Sequence, residues 1–266
     1  MIRFDRTLAK ERYEAQAALC GKSYIADAKN AVNDVRVNGT HADVKLIGAI
    51  DDWFGINVEE TIAKLDNQKL DSINLVINSP GGLFWQGNAL YHDLMARQND
   101  GVTITTEGRG MVASAAVLPF LASNTIRKLT ENTVALIHRP FLAAVIDGDY
   151  EEIMATASRI ANYAKVTNDV LTNIINKYVN PSNRKNLDGW LKNEKLFHAD
   201  EAVEVGMATS VISDDGEGSN NNDVDGIKDN VIELCNNQYA DVALNFDKRD
   251  IYTRENDLWK QMEQKV

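Results

Sequence analysis

The sequence predicts an α/β fold in which a parallel or mostly parallel sheet is covered by helices. Three observations carry this reading. Short β-branched runs bounded by turn residues recur at 44–50 (VKLIGAI), 73–78 (INLVIN), 102–107 (VTITTE) and 133–137 (TVALI). Stretches with apolar residues at three- and four-residue steps lie among them at 58–65, 86–97 and 114–122. The 266 residues are 44% hydrophobic, enough to fill the core of one catalytic domain with appendages.

Taken in order, residues 5–34 are rich in Ala, Lys, Arg and Glu and read as one or two helices without visible chemistry. The strands and helices named above follow. Residues 150–178 contain no Gly or Pro and place Ile153, Ala157, Ile160, Ala164, Leu171, Ile174 and Tyr178 at near-helical intervals. This is one long helix or two joined end to end, with an apolar stripe for the core or for another subunit. A short helix at 199–205 stops at Gly206, a suitable residue for a helix C-terminus. From 213 to 230 the run SDDGEGSNNNDVDGIKDN has the composition of a flexible acidic linker. The expected organisation is an N-terminal extension (1–40), a catalytic domain (41–212), this linker (213–230) and a tail (231–266) whose segment 254–264 has a helical pattern.

Several classes of function are excluded or disfavoured. A formal charge of −11 argues against binding phosphate backbones, so nucleic acid is not an expected partner. No run approaches the roughly 18 apolar residues of a membrane span, and MIRFDRTLAKERYEAQ lacks the apolar core of a signal peptide, so a cytoplasmic protein is expected. Cys20 and Cys235 stand far apart, without metal-ligand neighbours at short spacing, and a disulfide is not expected in that compartment. Asn221, Asp223, Asp225 and Gly226 mimic part of a calcium-binding loop, but Ile232 stands where the closing carboxylate belongs. A solvated linker is the better account.

Two turns carry more. Asn78-Ser79-Pro80-Gly81-Gly82 follows a strand and precedes a helix, and two glycines leave amides unshielded by any Cβ. Such a turn can offer an N–H to an oxyanion, although Pro-Gly-Gly alone equally marks an ordinary strand-to-helix turn. Gly110-Met111-Val112-Ala113-Ser114-Ala115-Ala116 also follows a strand and opens an apolar helix. There Ser114 would meet free N–H groups and the positive end of a helix dipole. A plain serine N-cap explains the same pattern. A nucleophile needs an activating base, and His138, just after the strand TVALI, stands at a strand end where α/β folds place functional groups. The other histidines are His41 before the first core strand, His92 in a predicted helix and His198 beside the short helix near Gly206.

Together these segments resemble the Clp protease proteolytic subunit and its relatives among phage head-maturation proteases. INSPGG is similar to that family's turn before the substrate groove, GMVASAAVL to its nucleophile segment and ALIHRP to its histidine segment, in the same order. The 24 positions from Ser114 to His138 agree with the family interval, and the likeness continues through EKLFHADEAVEVG at 194–206. The resemblance covers roughly 44–212. It implies a ClpP/crotonase-like spiral of β-β-α units with a protruding helical handle formed by the long helix from Tyr150.

It further implies a serine endopeptidase with Ser114 as nucleophile, His138 as general base and the Gly82 and Ala115 amides as the oxyanion hole. The family's acid position falls on Glu194, with Asp188 as the alternative if the chain bends differently. Pro119 interrupts the helix after Ser114 and is expected to kink it. Trp85 lies where it would narrow the groove or fill the core. The implied partners are a polypeptide substrate and further copies of the chain in a ring. The mechanism requires no metal and no organic cofactor.

The leading functional expectation is an ATP-independent head-maturation protease acting on scaffold or capsid precursors. It draws on the Asp-Asp-Trp-Phe-Gly run at 51–55, which resembles phage relatives, and on the acidic extension. Alternatives are a proteolytic chamber fed by an ATP-driven unfoldase, a non-proteolytic crotonase-fold protein, and an assembly protein without activity.

Overall fold

The computed structural model describes residues 31–50, 55–140 and 148–213. Strand β1 (Val32–Asn38) turns back at Gly39 and pairs antiparallel with β2 (His41–Ile47) along its whole length. The first residues of β1, 32–34, lie inside the 5–34 stretch read as helical, and the whole strand lies inside the expected 1–40 extension. Val35 and Val37 explain the difference, because they alternate with polar neighbours and pack on the core. Residues 51–54 and 141–147 and the expected linker and tail from 214 onward fall outside the described residues, as do Cys20, Cys235 and the calcium-like loop.

The next strands are parallel. Helix α1 (Val58–Asp66) is capped by the Asn57 side chain, which accepts from the Glu60 amide at 3.0 Å, and leads into β3 (Ser72–Ser79) beside β2. Helix α2 (Phe84–Asn99) crosses over to β4 (Thr103–Ala113) beside β3. Ala42, Val44 and Leu46 on β2 are buried in alternation with their neighbours, and Ile73 and Leu75–Ile77 are buried on β3. Burying each such Leu, Ile or Val side chain contributes about 1.5–3 kcal/mol.

Strand β4 is longer than the sequence pattern indicated, because GRGMVA is strand rather than a turn into a helix. Its pairing with β3 shifts register between Ile77 and Ser79. Before the shift β4 pairs with β5 (Ile126–Thr130), and after it Met111–Ala113 pair with β6 (Val134–Ile137). Gly110, at φ +89°, accommodates the bend, and its N–H donates to Thr133 Oγ1 at 3.0 Å. One strand therefore serves two sets of neighbours.

After β4 the chain makes a 3₁₀ turn (Ser114–Ala116) and a short helix α3 (Val117–Phe120) instead of one helix over 114–122. Pro119 does not kink a helix, because it lies in the first turn of α3, where an N–H has no helical acceptor. The long helix α4 (Tyr150–Tyr178) is continuous and begins in a capping box between Asp149 and Glu152. Its second half buries Thr167, Leu171, Ile174 and Ile175. Residues 150–166 include no buried residue and expose Tyr150, Met154, Tyr163 and Val166, so roughly 25 Å of helix, at about 1.5 Å per residue, extends past the core. This is the expected handle.

Helix α5 (Leu187–Lys192), β7 (Lys195–His198), α6 (Ala199–Glu204) and β8 (Ser210–Ile212) complete the fold. The main path of the sheet runs β1-β2-β3-β4-β5-β8, with β6 joined to β4 and to β7. Buried Arg127 on β5 ties the C-terminal part in, donating to the carbonyls of Ser123 (2.7 Å), Met207 (2.8 Å) and Gly206 (3.1 Å) and lying over the Tyr178 ring.

Candidate active site

The β4–β6 ladder aligns Ala113 with Leu136, so the residues just past both strand ends emerge side by side. Ser114 leaves β4 at φ +55°, a left-handed conformation unusual for a residue with a side chain. His138 Nε2 lies 2.7 Å from Ser114 Oγ. The imidazole is buried, and burial holds its pKa below the ordinary histidine value, opposed by the Glu194 carboxylate and a backbone hydrogen bond at Arg139. A neutral imidazole beside a hydroxyl is suited to accept its proton.

Strand β7 runs antiparallel to β6, pairing Ile137 with Lys195. His138 and Glu194 are the next residues beyond this pair, and the Glu194 carboxylate acts on the ring. Glu194 itself stands at φ +53° in the turn before β7. Asp188 is engaged elsewhere, in an ion pair with Arg139 Nη2 at 2.5 Å, and its side chain is 77% exposed. Of the two carboxylates considered from the sequence, the structure brings Glu194 to the histidine.

The glycine turn closes on the other side of Ser114. Gly81, at φ +91°, packs so tightly that a Cβ there would lie 2.6 Å from Ser114 Cβ and 2.9 Å from the Ala115 nitrogen. Gly81 O accepts from Ile50 N at 2.7 Å, and Leu83 N donates to Ile50 O at 2.9 Å. Gly82 bridges Ile50 between these two bonds, so its own N–H points away from Ile50. The Gly81 N–H is held by Ser79 Oγ at 3.1 Å. Gly81 thus lies directly against Ser114 and the Ala115 nitrogen, and the Gly82 N–H is turned away from Ile50. Gly87, on the first turns of α2, has no room for a Cβ because the Ala115 carbonyl abuts it.

Sequence reasoning missed Ile50, Ser79 and Asn78 as builders of this site. Asn78 Oδ1 accepts from Met111 N at 3.1 Å and braces the bend in β4. The only signal for Asn78 and Ser79 was their place inside INSPGG, and Ile50 showed only as the last residue of VKLIGAI. The remaining histidines lie in other settings. His41 Nδ1 is 2.7 Å from Ser72 Oγ and its Nε2 3.4 Å from Asp43, at the opposite ends of the parallel strands, where the Asp71 and Ser72 amides are taken up by Thr40 O. His92 meets the Tyr91 ring edge-on. His198 caps α6 with Glu201. Trp85 neither fills the core nor stands alone, since it is 40% exposed and packs edge-on against Tyr163 of the handle, with its indole N–H directed at the Tyr163 hydroxyl.

The sequence profile of the family described as Clp protease matches residues 28–215. The chain belongs to the Clp protease family. It is 30% identical over 170 residues to ATP-dependent Clp protease proteolytic subunit 1 of Leifsonia xyli, covering 60% of this chain and 81% of that protein. It is 29% identical over 165 residues to proteolytic subunit 2 of Frankia casuarinae, covering 61% of this chain and 71% of that one. A ClpP1 mutant from Listeria monocytogenes superposes with a TM-score of 0.53 at 21% identity, over 65% of this chain and 92% of the other, and shows the shared fold. Among the described residues no cluster of three or more His, Cys, Asp or Glu is arranged to hold a metal ion, and no helix is long and apolar enough to cross a membrane.

Proposed function

We propose that this chain is a serine endopeptidase of the head-maturation type. Ser114 Oγ attacks the scissile carbonyl while His138 takes its proton, and His138 then delivers that proton to the leaving amine. Glu194 orients the imidazole and balances the charge it gains. The Gly82 and Ala115 amides hold the oxyanion of the tetrahedral intermediate, and water repeats the sequence to release the acyl group. The observation that carries this reading is the 2.7 Å contact between Ser114 and His138 on neighbouring strand ends. No step calls for a metal or an organic cofactor.

The proposed substrates are capsid or scaffold precursors, cleaved without ATP by a ring of identical subunits. The apolar residues exposed on the first half of α4 support self-association. The Asp-Asp-Trp-Phe-Gly run and the acidic extension after 212 support the viral setting. A second reading, a chamber fed by an ATP-driven unfoldase, is favoured by the names of the Leifsonia and Frankia relatives.

Two measurements test these proposals. Fluorophosphonate labelling is expected for wild type and lost in Ser114→Ala and His138→Ala, whereas unchanged labelling in both variants would place the reactivity elsewhere. Co-expression with a capsid precursor and no unfoldase is expected to yield cleaved precursor. Cleavage only in the presence of an unfoldase and ATP would select the second reading.

A further inference from the structure

Gly81 and Gly82 stand at φ +91° and +140°, and two adjacent glycines have more backbone freedom to lose than any other pair. Something outside them must fix their shared peptide. Because a trans peptide directs its N–H opposite to its C=O, the bond from Ile50 N to Gly81 O aims the Gly82 N–H away from Ile50. A second restraint acts on the preceding peptide. Ser79, fully buried, accepts the Gly81 N–H on its hydroxyl at 3.1 Å. Ser79 is itself held in the β3–β4 ladder opposite Val112, two residues before Ser114. Its hydroxyl therefore ties the end of β3, paired there with the strand that carries the nucleophile, to the peptide just before the one that presents the oxyanion donor.

We propose that Ser79 is a positioning residue for the oxyanion site, fixing the Pro80-Gly81-Gly82 turn so that the Gly82 N–H meets the developing negative charge. This rests on the reading of Gly82 and Ala115 as the oxyanion donors. Without the hydroxyl, the Gly81 N–H loses its acceptor in a buried setting, and the turn gains freedom to rotate. A misplacement of about 1 Å at a reacting centre costs about 100-fold in rate.

The test uses the full chain in its assembled state, with a fluorogenic peptide, a fluorophosphonate probe and a peptide aldehyde whose hemiacetal oxygen occupies the oxyanion site. Ser79→Ala is expected to lower kcat about 10- to 100-fold with KM within about twofold. Aldehyde affinity should fall by a similar factor and the acid limb of the pH profile should stay in place. Ser79→Thr, which keeps the hydroxyl, should recover most of the activity, and the isosteric Ser79→Val should not. Should Ser79→Ala fail to fold, the Thr and Val variants at matched melting temperature decide alone. Equal activity of Thr and Val, a Ser79→Ala kcat within about twofold of wild type, or a displaced acid limb would overturn the proposal. Wild-type labelling that disappears in Ser114→Ala leaves the parent reading standing in each of those cases, and absence of wild-type labelling overturns both.

Discussion

Replacing Gly81 by alanine should switch the site off without unfolding the protein. The added Cβ would lie 2.6 Å from Ala113 O and from Ser114 Cβ, and 2.9 Å from the Ala115 nitrogen, whereas ordinary contact begins near 3.4 Å. The neighbours must therefore yield by about 0.8 Å, and two of the three atoms are main chain that cannot swing aside. At about 100-fold per 1 Å of misplacement, a loss of kcat of about 40-fold follows. Left-handed strain contributes a separate stability cost of about 1–3 kcal/mol. Gly101→Ala isolates that cost, because Gly101 has φ +97° and a Cβ there meets nothing within 4 Å. The assay is kcat and KM on a fluorogenic peptide, with melting temperatures for both variants. Gly101→Ala should lose stability but keep its rate within about twofold. A Gly81→Ala protein that folds and retains more than a third of wild-type kcat would refute the argument from close packing.

Other outcomes follow from the same geometry. Burial lowers the His138 pKa, and only the neutral ring can accept the serine proton. Activity should therefore rise with pH through a midpoint below the ordinary imidazole value near 6.5, as a kcat/KM profile will show. Glu194→Gln removes the charge that opposes this shift, so the midpoint should move lower still while kcat falls about 100-fold or more. Asp188→Ala breaks only an exposed ion pair with Arg139 and should leave kcat within about twofold, in contrast to Glu194→Gln. Arg127→Leu leaves the carbonyls of Ser123, Gly206 and Met207 without their buried donor, and should cost about 3 kcal/mol or more in chemical denaturation.

The strands visible in the sequence were those whose apolar residues dominate their composition. β3 and β6 are nearly continuous β-branched or aliphatic runs because both are buried in the middle of the sheet. β5 was missed because IRKLT carries two cations, and nothing local reveals that one of them, Arg127, is buried on distant carbonyls. β1 and β8 are edge strands, half exposed and mixed in composition. The second half of β4 read as a turn because Gly108 and Gly110 punctuate it, although they serve a bend within one strand. Helix α4 was legible to the residue, with Asp149 and Glu152 at its start and no breaker inside. In the site, Ser114 and His138 stand in short local signals. Glu194 depends on the pairing of β6 with β7, and Ser79 and Ile50 act through main-chain bonds that no side-chain pattern encodes.

The pairing of β4, β6 and β7 also bears on the safety of making such a chain. Ser114, His138 and Glu194 stand next to three strand ends spread along the polypeptide, and the strands beside them are set in register by β4–β6 and β6–β7 pairing. The Glu194 carboxylate, which acts on His138, stands in the turn that leads into β7, and β7 pairs with β6 just before His138. A ribosome-bound chain whose β7 has not emerged holds a serine and a histidine without their carboxylate. On the proposed mechanism, the complete set of catalytic groups can form only late in synthesis, a consequence of the order of these strands along the chain.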